Sequence, residues 1–153
     1  MDSSSTYSST ADREALAKIA TGSLARPATT MTTGALEAAL CAEFPLADGE
    51  AWDRSGMLVG DPARLVEGIA VALDPTVAAI DAAADAGANV LVTHHPLFLH
   101  APESFAPASS VGVNPGAGVW AAISRGVSVM SFHTCLDVSA KAQRVLPGML
   151  GLH

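Results

Sequence analysis

The spacing of apolar residues changes along the chain, and each spacing predicts a different element. Residues 33–45, TGALEAALCAEFP, place apolar residues every three or four positions, which predicts a helix that Pro45 ends. A short strand is predicted at residues 57–59. In residues 67–74, EGIAVALD, the apolar residues Ile69, Val71 and Leu73 alternate with alanines. This pattern predicts a strand that is buried on both faces.

A helix pattern follows this strand. Asp74 suits the N-cap, Pro75 the first helical position and Gly87 the C-terminal cap of an alanine-rich helix. Its inward side chains are predicted to be Val77, Ile80 and Ala84.

The strand and helix patterns then repeat. Residues 89–92, NVLV, predict a strand, and a longer loop leads from residue 94 to about residue 116. Residues 118–125, GVWAAISR, predict a helix that Gly126 ends, with Val119, Trp120 and Ile123 on its buried face. Residues 127–132 predict the next strand. Three strands joined by two crossover helices indicate an α/β domain with a mostly parallel sheet.

The domain is expected to occupy residues 31–153. Residues 1–30, rich in Ser, Thr and Ala, predict a flexible tail, within which residues 13–25 could form a loosely attached helix. Met31 is an alternative natural start. At the other end, residues 139–153 begin a further helix.

The composition narrows the class of protein. Charged residues make up 15% of the chain, against about 25% in typical domains, so we expect surface buried against another subunit or further protein. The net charge of −7 argues against nucleic-acid binding, and no apolar run is long enough to span a membrane. Without a signal-peptide pattern, and with only Cys41 and Cys135, a reduced cytoplasmic location is expected.

Metal-binding residue types follow two successive strands. His94 and His95 come directly after the strand that ends near Thr93, and His133 and Asp137 follow the next strand. Ligands of open α/β sheets bind at the carboxyl ends of the strands. Imidazole and carboxylate groups bind zinc, manganese, iron and related ions. Since adjacent residues at a strand end point in opposite directions, the two neighbouring histidines are predicted to serve two different ions.

Several other residues have less specific interpretations. Asp74 is better explained as a helix cap than as a ligand, and Asp53 as a turn residue. Cys135 could bind metal, but packing in the core is favoured. His100 and His153 have no assigned role. The sequence has no nucleophile elbow, Walker phosphate loop or dinucleotide fingerprint, and no catalytic residue is assigned.

Three segments carry a resemblance to a known family. They are LEAALCAEFPLADGEAWDRSGMLVG, VALDPTVAAIDAAADAGANVLVTHHPLF and GVSVMSFHTCLDV. In this order they resemble the Nif-three-like dinuclear metal-centre family, also called the GTP cyclohydrolase I type 2 family. The resemblance extends from about Met31 to Leu152, and the two histidine motifs at this separation make it specific.

The resemblance implies a hydrolase-type centre with two divalent metal ions per complete site, a small-molecule substrate and a homo-oligomer, hexameric in full-length members. It implies that His94 and His95 ligate different ions and that Asp137 ligates one of them. His133 is either a ligand or a residue that orients the ligands.

The sequence also departs from the family pattern. The family's late His-x-x-x-Glu motif does not occur here, and Cys135 stands where Asn is frequent. The chain therefore resembles the N-terminal half of a member, with an incomplete site and an unpaired sheet edge that predicts poor solubility. The alternative is a non-catalytic scaffold or interaction protein with a structural or vestigial metal site.

Overall fold

A four-stranded sheet organises the part of the chain that this computed structural model describes, residues 30–107 and 114–151. The strands are β1 (Gly56–Val59), β2 (Ile69–Ala72), β3 (Val90–Thr93) and β4 (Ser128–Ser131). The helices are α1 (Thr33–Glu43), α2 (Val77–Asp85), α3 (Pro115–Arg125), α4 (Thr134–Asp137) and α5 (Ala140–Met149), and a 3-10 turn spans Leu46–Asp48. The tail predicted for residues 1–30, with its short helix, lies almost wholly outside the described residues.

The sheet has the strand order β1-β4-β3-β2. Strands β2, β3 and β4 are parallel, with α2 and α3 as the connections between them. Strand β1 pairs antiparallel with β4 at one edge. The predicted α/β class with a mostly parallel sheet, three parallel strands and two crossover helices is therefore confirmed.

Two apolar clusters cover the two faces of the sheet. Strand β3 contributes Leu91 to the cluster that includes α2 and α3, and it contributes Val90 and Val92 to the cluster that includes α1. This division follows from the alternation of side chains along a strand. Ile80 of α2 is fully buried, as the helical spacing predicted.

Helix α3 is rotated from its predicted orientation. Val119 is buried as expected, but Trp120 and Ile123 are 45% and 68% exposed. The helix instead buries a small-residue face, made of Gly116, Ala117, Gly118, Ala121 and Ala122. Small side chains let this helix pack closely against the alanine-rich α2, which leaves the two larger side chains on its other side. Gly126 ends the helix in a left-handed conformation, as predicted.

Two predictions at β2 and α2 are wrong. Val71 is 71% exposed, since β2 is an edge strand and one of its faces is not covered by the described residues. The N-cap of α2 is Thr76, whose side chain accepts a hydrogen bond from the amide of Ala79. The helix therefore starts later than predicted, and both Asp74 and Pro75 precede it. Gly87, with a φ of +80°, follows the last turn in the position expected of a terminating glycine.

The C-terminal helix α5 packs loosely on the rest of the molecule. None of its residues is buried, and Pro147 lies within its last turns. Across residues 30–107 and 114–151, every helix is too short or too polar to cross a membrane.

The core assignment is testable with a pair of matched substitutions. Ile80→Ala should lower the free energy of unfolding by about 2–5 kcal/mol, because it leaves a cavity between α2 and the sheet. Ile123→Ala removes the same atoms from an exposed position and should change it by less than about 0.5 kcal/mol. Urea unfolding followed by circular dichroism measures both. Equal losses would contradict the rotated packing of α3.

Candidate metal centre

Three histidines converge where β3 and β4 end side by side. In the parallel register Thr93 lies opposite Ser131, so the residues that follow each strand leave the sheet at the same edge. The ring centroids of His94 and His95 are 4.9 Å apart, and those of His94 and His133 are 5.0 Å apart. One ring nitrogen from each of the three lies within 4.8 Å of the others.

The side chains of His94 and His95 were expected to point in opposite directions, and this expectation is wrong. The strand ends at Thr93, and the alternation of side chains ends with it. The Thr93 hydroxyl donates a hydrogen bond of 2.7 Å to the His95 carbonyl, which bends the chain. The backbone amides of His94 and His95 donate to the carbonyls of Ala72, the last residue of β2, and Leu73. Both rings therefore face one centre.

Each imidazole has an oxygen acceptor on its Nδ1 atom. His95 Nδ1 lies 2.7 Å from Asp74 Oδ1, and His133 Nδ1 lies 3.0 Å from Asp53 Oδ1. His94 Nδ1 lies 3.3 Å from the carbonyl oxygen of Phe132. Because these oxygens only accept, they favour the tautomer with hydrogen on Nδ1, which leaves the Nε2 lone pair free. This is the usual arrangement of metal-binding histidines.

Asp137 stands at the rim of the three-histidine group. The short helix α4 begins after His133, and one helical turn brings Asp137 Oδ1 to 3.7 Å from His94 Nε2. The Asp137 side chain is exposed and does not belong to the tightest group of donors. The structure therefore brings all four predicted ligands together, with the carboxylate further out.

Asp53 is the most strongly held carboxylate at the site. Its side chain is 4% exposed, and it accepts hydrogen bonds from His133 Nδ1, from the amide and hydroxyl of Thr134, and from Arg54 and Ser55. Burial alone would raise the pKa of Asp53. The hydrogen bonds from Thr134, His133 and Arg54 outweigh burial and hold the pKa well below its usual range.

Sequence reasoning missed the contacts of two carboxylates with histidines. Asp53 does make the predicted turn contacts, with Arg54 and Ser55, but it also orients His133, 80 residues away. Asp74 is not the predicted helix cap, because its carboxylate is bonded to His95 instead. The only available signal was that Asp74 ends a strand beside β3, on the edge where the histidines emerge.

The remaining candidates lie away from the centre. Cys135 is buried in the apolar cluster that includes α1, which agrees with a packing role. His100 is exposed and outside the three-histidine group. His153 lies outside the described residues.

Comparisons with known proteins point to one family. A sequence model of the Duf34/NIF3 family (NGG1p interacting factor 3) matches residues 31–152. GTP cyclohydrolase 1 type 2 homologs of Mycobacterium leprae and Streptomyces coelicolor are 37% and 39% identical over 94 and 74 residues. These matches cover 61% and 48% of this chain, but only 23% and 26% of the relatives.

Solved structures agree with the sequence comparisons. The Staphylococcus aureus hypothetical protein SA1388 superposes with a TM-score of 0.75 at 28% identity, over 82% of this chain and 40% of that protein. A Bacillus cereus protein related to NIF3 shares the fold, with a TM-score of 0.70 at 24% identity, over 82% of this chain and 34% of that protein. The chain thus spans less than half the length of these relatives.

The contacts of Asp53 predict a measurable loss of stability. Asp53→Asn should lower the free energy of unfolding by about 1–3 kcal/mol, since an amide cannot accept the hydrogen bonds that both carboxylate oxygens accept. Asp48→Asn removes the same charge from an exposed position on the 3-10 turn and should change it by less than about 0.5 kcal/mol. Chemical denaturation of both variants makes the comparison. Similar losses in the two would refute the structural role of Asp53.

Proposed function

Because the chain belongs to the Duf34/NIF3 family, whose sequence model matches residues 31–152, we propose that it binds divalent metal ions through His94, His95 and His133. Asp137 is proposed as a further ligand. The membership confirms the family resemblance drawn from the motifs. The observation that carries the metal proposal is that three imidazoles converge and each has its Nδ1 atom occupied by an oxygen acceptor.

The donor set fits a zinc-like ion. Two nitrogens bound to one tetrahedral zinc ion lie about 3.3 Å apart, given bond lengths of about 2.0 Å. The three imidazole nitrogens are within 4.8 Å of one another, so they would have to approach by up to about 1.5 Å to complete such a site. Manganese and iron accept the same imidazole and carboxylate donors.

The number of donors favours unequal binding of two ions. Three imidazoles and Asp137 can satisfy one ion, whereas a pair of ions needs more protein ligands or a bridging group. We therefore propose one tighter and one weaker position. The weaker position should depend on Asp137, the outermost of the four candidate ligands.

We propose hydrolysis of a small molecule as the activity of the complete centre. A bound divalent ion supplies a Lewis acid that polarises a substrate oxygen and makes water more acidic. The chain's own contribution is positional: Asp74 and Asp53 hold His95 and His133 in one orientation. Asp137, exposed beside His94, would complete the weaker position as a ligand. The names of the curated relatives, GTP cyclohydrolase 1 type 2 homologs, support this reaction class.

A scaffold or interaction protein is the second candidate function. An apolar groove of about 420 Å³ lies beside the site, lined by Leu40, Phe44, Val71, Leu73 and neighbouring residues. The family description also refers to an interacting factor. Metal-dependent consumption of GTP that His95→Ala abolishes would favour the enzyme. A stable protein complex that forms equally well with His95→Ala would favour the scaffold.

Self-association is proposed for this groove together with the adjoining apolar surface of α5, which also contacts Phe44 and Leu136. The side chains of Val71, Leu73, Val145 and Leu146 are all more than half exposed. A surface of this kind is expected to be covered in an oligomer, and the family resemblance suggests a hexamer. Light scattering of the purified chain tests this, and a strictly monomeric protein at all concentrations would refute it.

The metal proposal predicts a specific pattern of losses. Purified protein dialysed against Zn²⁺ or Mn²⁺ should retain the ion, as measured by elemental analysis. His94→Ala, His95→Ala and His133→Ala should each weaken binding at least about tenfold, because each removes a donor. His100→Ala is the matched control, since His100 lies outside the group and should leave binding unchanged.

The orienting carboxylates give a second, graded prediction. Asp74→Ala should weaken metal binding by about 10–100-fold, because His95 loses the group that fixes its ring. Asp81→Ala removes a carboxylate from the surface of α2 and should leave binding unchanged. Isothermal titration with Zn²⁺ measures both affinities. The proposed function would be refuted if the wild-type protein retained no metal. It would also be refuted if a variant with all three histidines replaced retained as much metal as the wild type.

A further inference from the structure

Trp52 stands beside the three-histidine group with most of its surface open. Its ring centroid lies 5.9 Å from that of His133, and the two ring planes are 72° apart. The residue is nevertheless 56% exposed. Tryptophan is highly buried on average, because exposing its large apolar ring to water is unfavourable. An exposed tryptophan next to a cluster of candidate ligands therefore suggests a surface that a ligand covers.

The backbone around Trp52 is held in place on both sides. The amide of Glu50 donates to Thr134 Oγ1 at 2.9 Å, and the amide of Asp53 donates to the Glu50 carbonyl at 2.9 Å. The close approach of this loop to α4 requires Gly49, since a Cβ atom there would lie 2.9 Å from Thr134 Oγ1. Trp52 is therefore positioned relative to His133 before any ligand arrives, which reduces the entropy lost on binding.

The segment is also tied to the loop that follows His95. Arg54 Nε donates to the Leu99 carbonyl at 3.3 Å, and the Arg54 carbonyl accepts from the Ser131 hydroxyl at 2.9 Å. The loop that carries Trp52 thus connects to both segments that supply histidines. The indole is thereby held beside the His133 ring.

We infer that Trp52 is a specificity-determining residue that stacks on the flat heteroaromatic ring of a nucleobase-type ligand. The inference rests on the proposed metal centre, which would bind the polar edge of the same ligand. Every nucleobase has a flat face that stacks on an aromatic side chain, and its ring edge carries oxygen and nitrogen atoms. A ring stacked on Trp52 would lie beside the histidines, since the indole centroid is 5.9 Å from that of His133.

Fluorescence of a single tryptophan tests the inference directly. The chain has two tryptophans, so Trp120→Phe leaves Trp52 as the only source of tryptophan emission. The variant is loaded with Zn²⁺, because this ion has a filled d shell and no redox chemistry. It is then titrated with guanosine, uridine and ribose. Guanosine should quench the emission in a saturable way, uridine should bind more weakly, and ribose should have no effect.

Substitutions of Trp52 separate stacking from simple apolar contact. In equilibrium dialysis with guanosine, Trp52→Phe should retain affinity within a few fold, because a flat ring remains. Trp52→Leu keeps apolar bulk without a ring, and it should weaken guanosine binding about tenfold or more. Trp52→Phe also leaves Trp120 as the only source of tryptophan emission, and this emission should not respond, since Trp120 lies on α3.

The metal content of the same samples distinguishes the two possible failures. Trp52→Phe and Trp52→Leu should bind Zn²⁺ as the wild type does, because indole is not a metal ligand. If Zn²⁺ binds but guanosine does not, or if Trp52→Leu binds guanosine normally, the stacking inference is overturned and the metal centre stands. If the wild type binds no Zn²⁺, the proposed function fails and the inference fails with it.

Discussion

The parallel pairing of β3 with β4 is the interaction on which the rest of this protein depends. Its register sets Thr93 opposite Ser131, so two segments that are 38 residues apart in the chain leave the sheet together. The pairing is buried on both faces. A shift of its register by one residue would turn each strand residue from one apolar cluster to the other. The packing of the core therefore also fixes the relative positions of His94, His95 and His133.

The carboxylates around the histidines turn this convergence into a chemically specific arrangement. Asp74 comes from the end of β2, and Asp53 comes from the loop before β1, so the centre draws on every strand of the sheet. Burying the Asp53 charge is unfavourable, and its hydrogen bonds with Thr134 and His133 offset that penalty. The result is a group of converging imidazoles, each with its Nδ1 atom paired with an oxygen. That arrangement supports the proposed function more strongly than the mere presence of histidines does.

The surface next to the centre has a different character. The groove formed with Phe44, Val71 and Leu136 is apolar and reaches His94, whereas Trp52 lies on the His133 side. Anything that covers the groove would shield the centre from water and strengthen electrostatic interactions within it. The relatives are more than twice as long as the part that this chain matches, so they contain further structure that this chain does not show.

Local pattern was sufficient for the strands, the crossover helices, Gly87, Gly126 and the convergence of the four candidate ligands, whose role as ligands stays a prediction. These features depend on side-chain spacing, on φ angles and on where strands end, all of which are local in sequence. The rotation of α3 and the exposure of Val71 were not predictable, because they depend on which neighbour covers each face. The contacts of Asp53 and Asp74 with histidines were not predictable either. Hydrogen bonds across 80 and 21 residues exist only once the tertiary fold has brought the partners together.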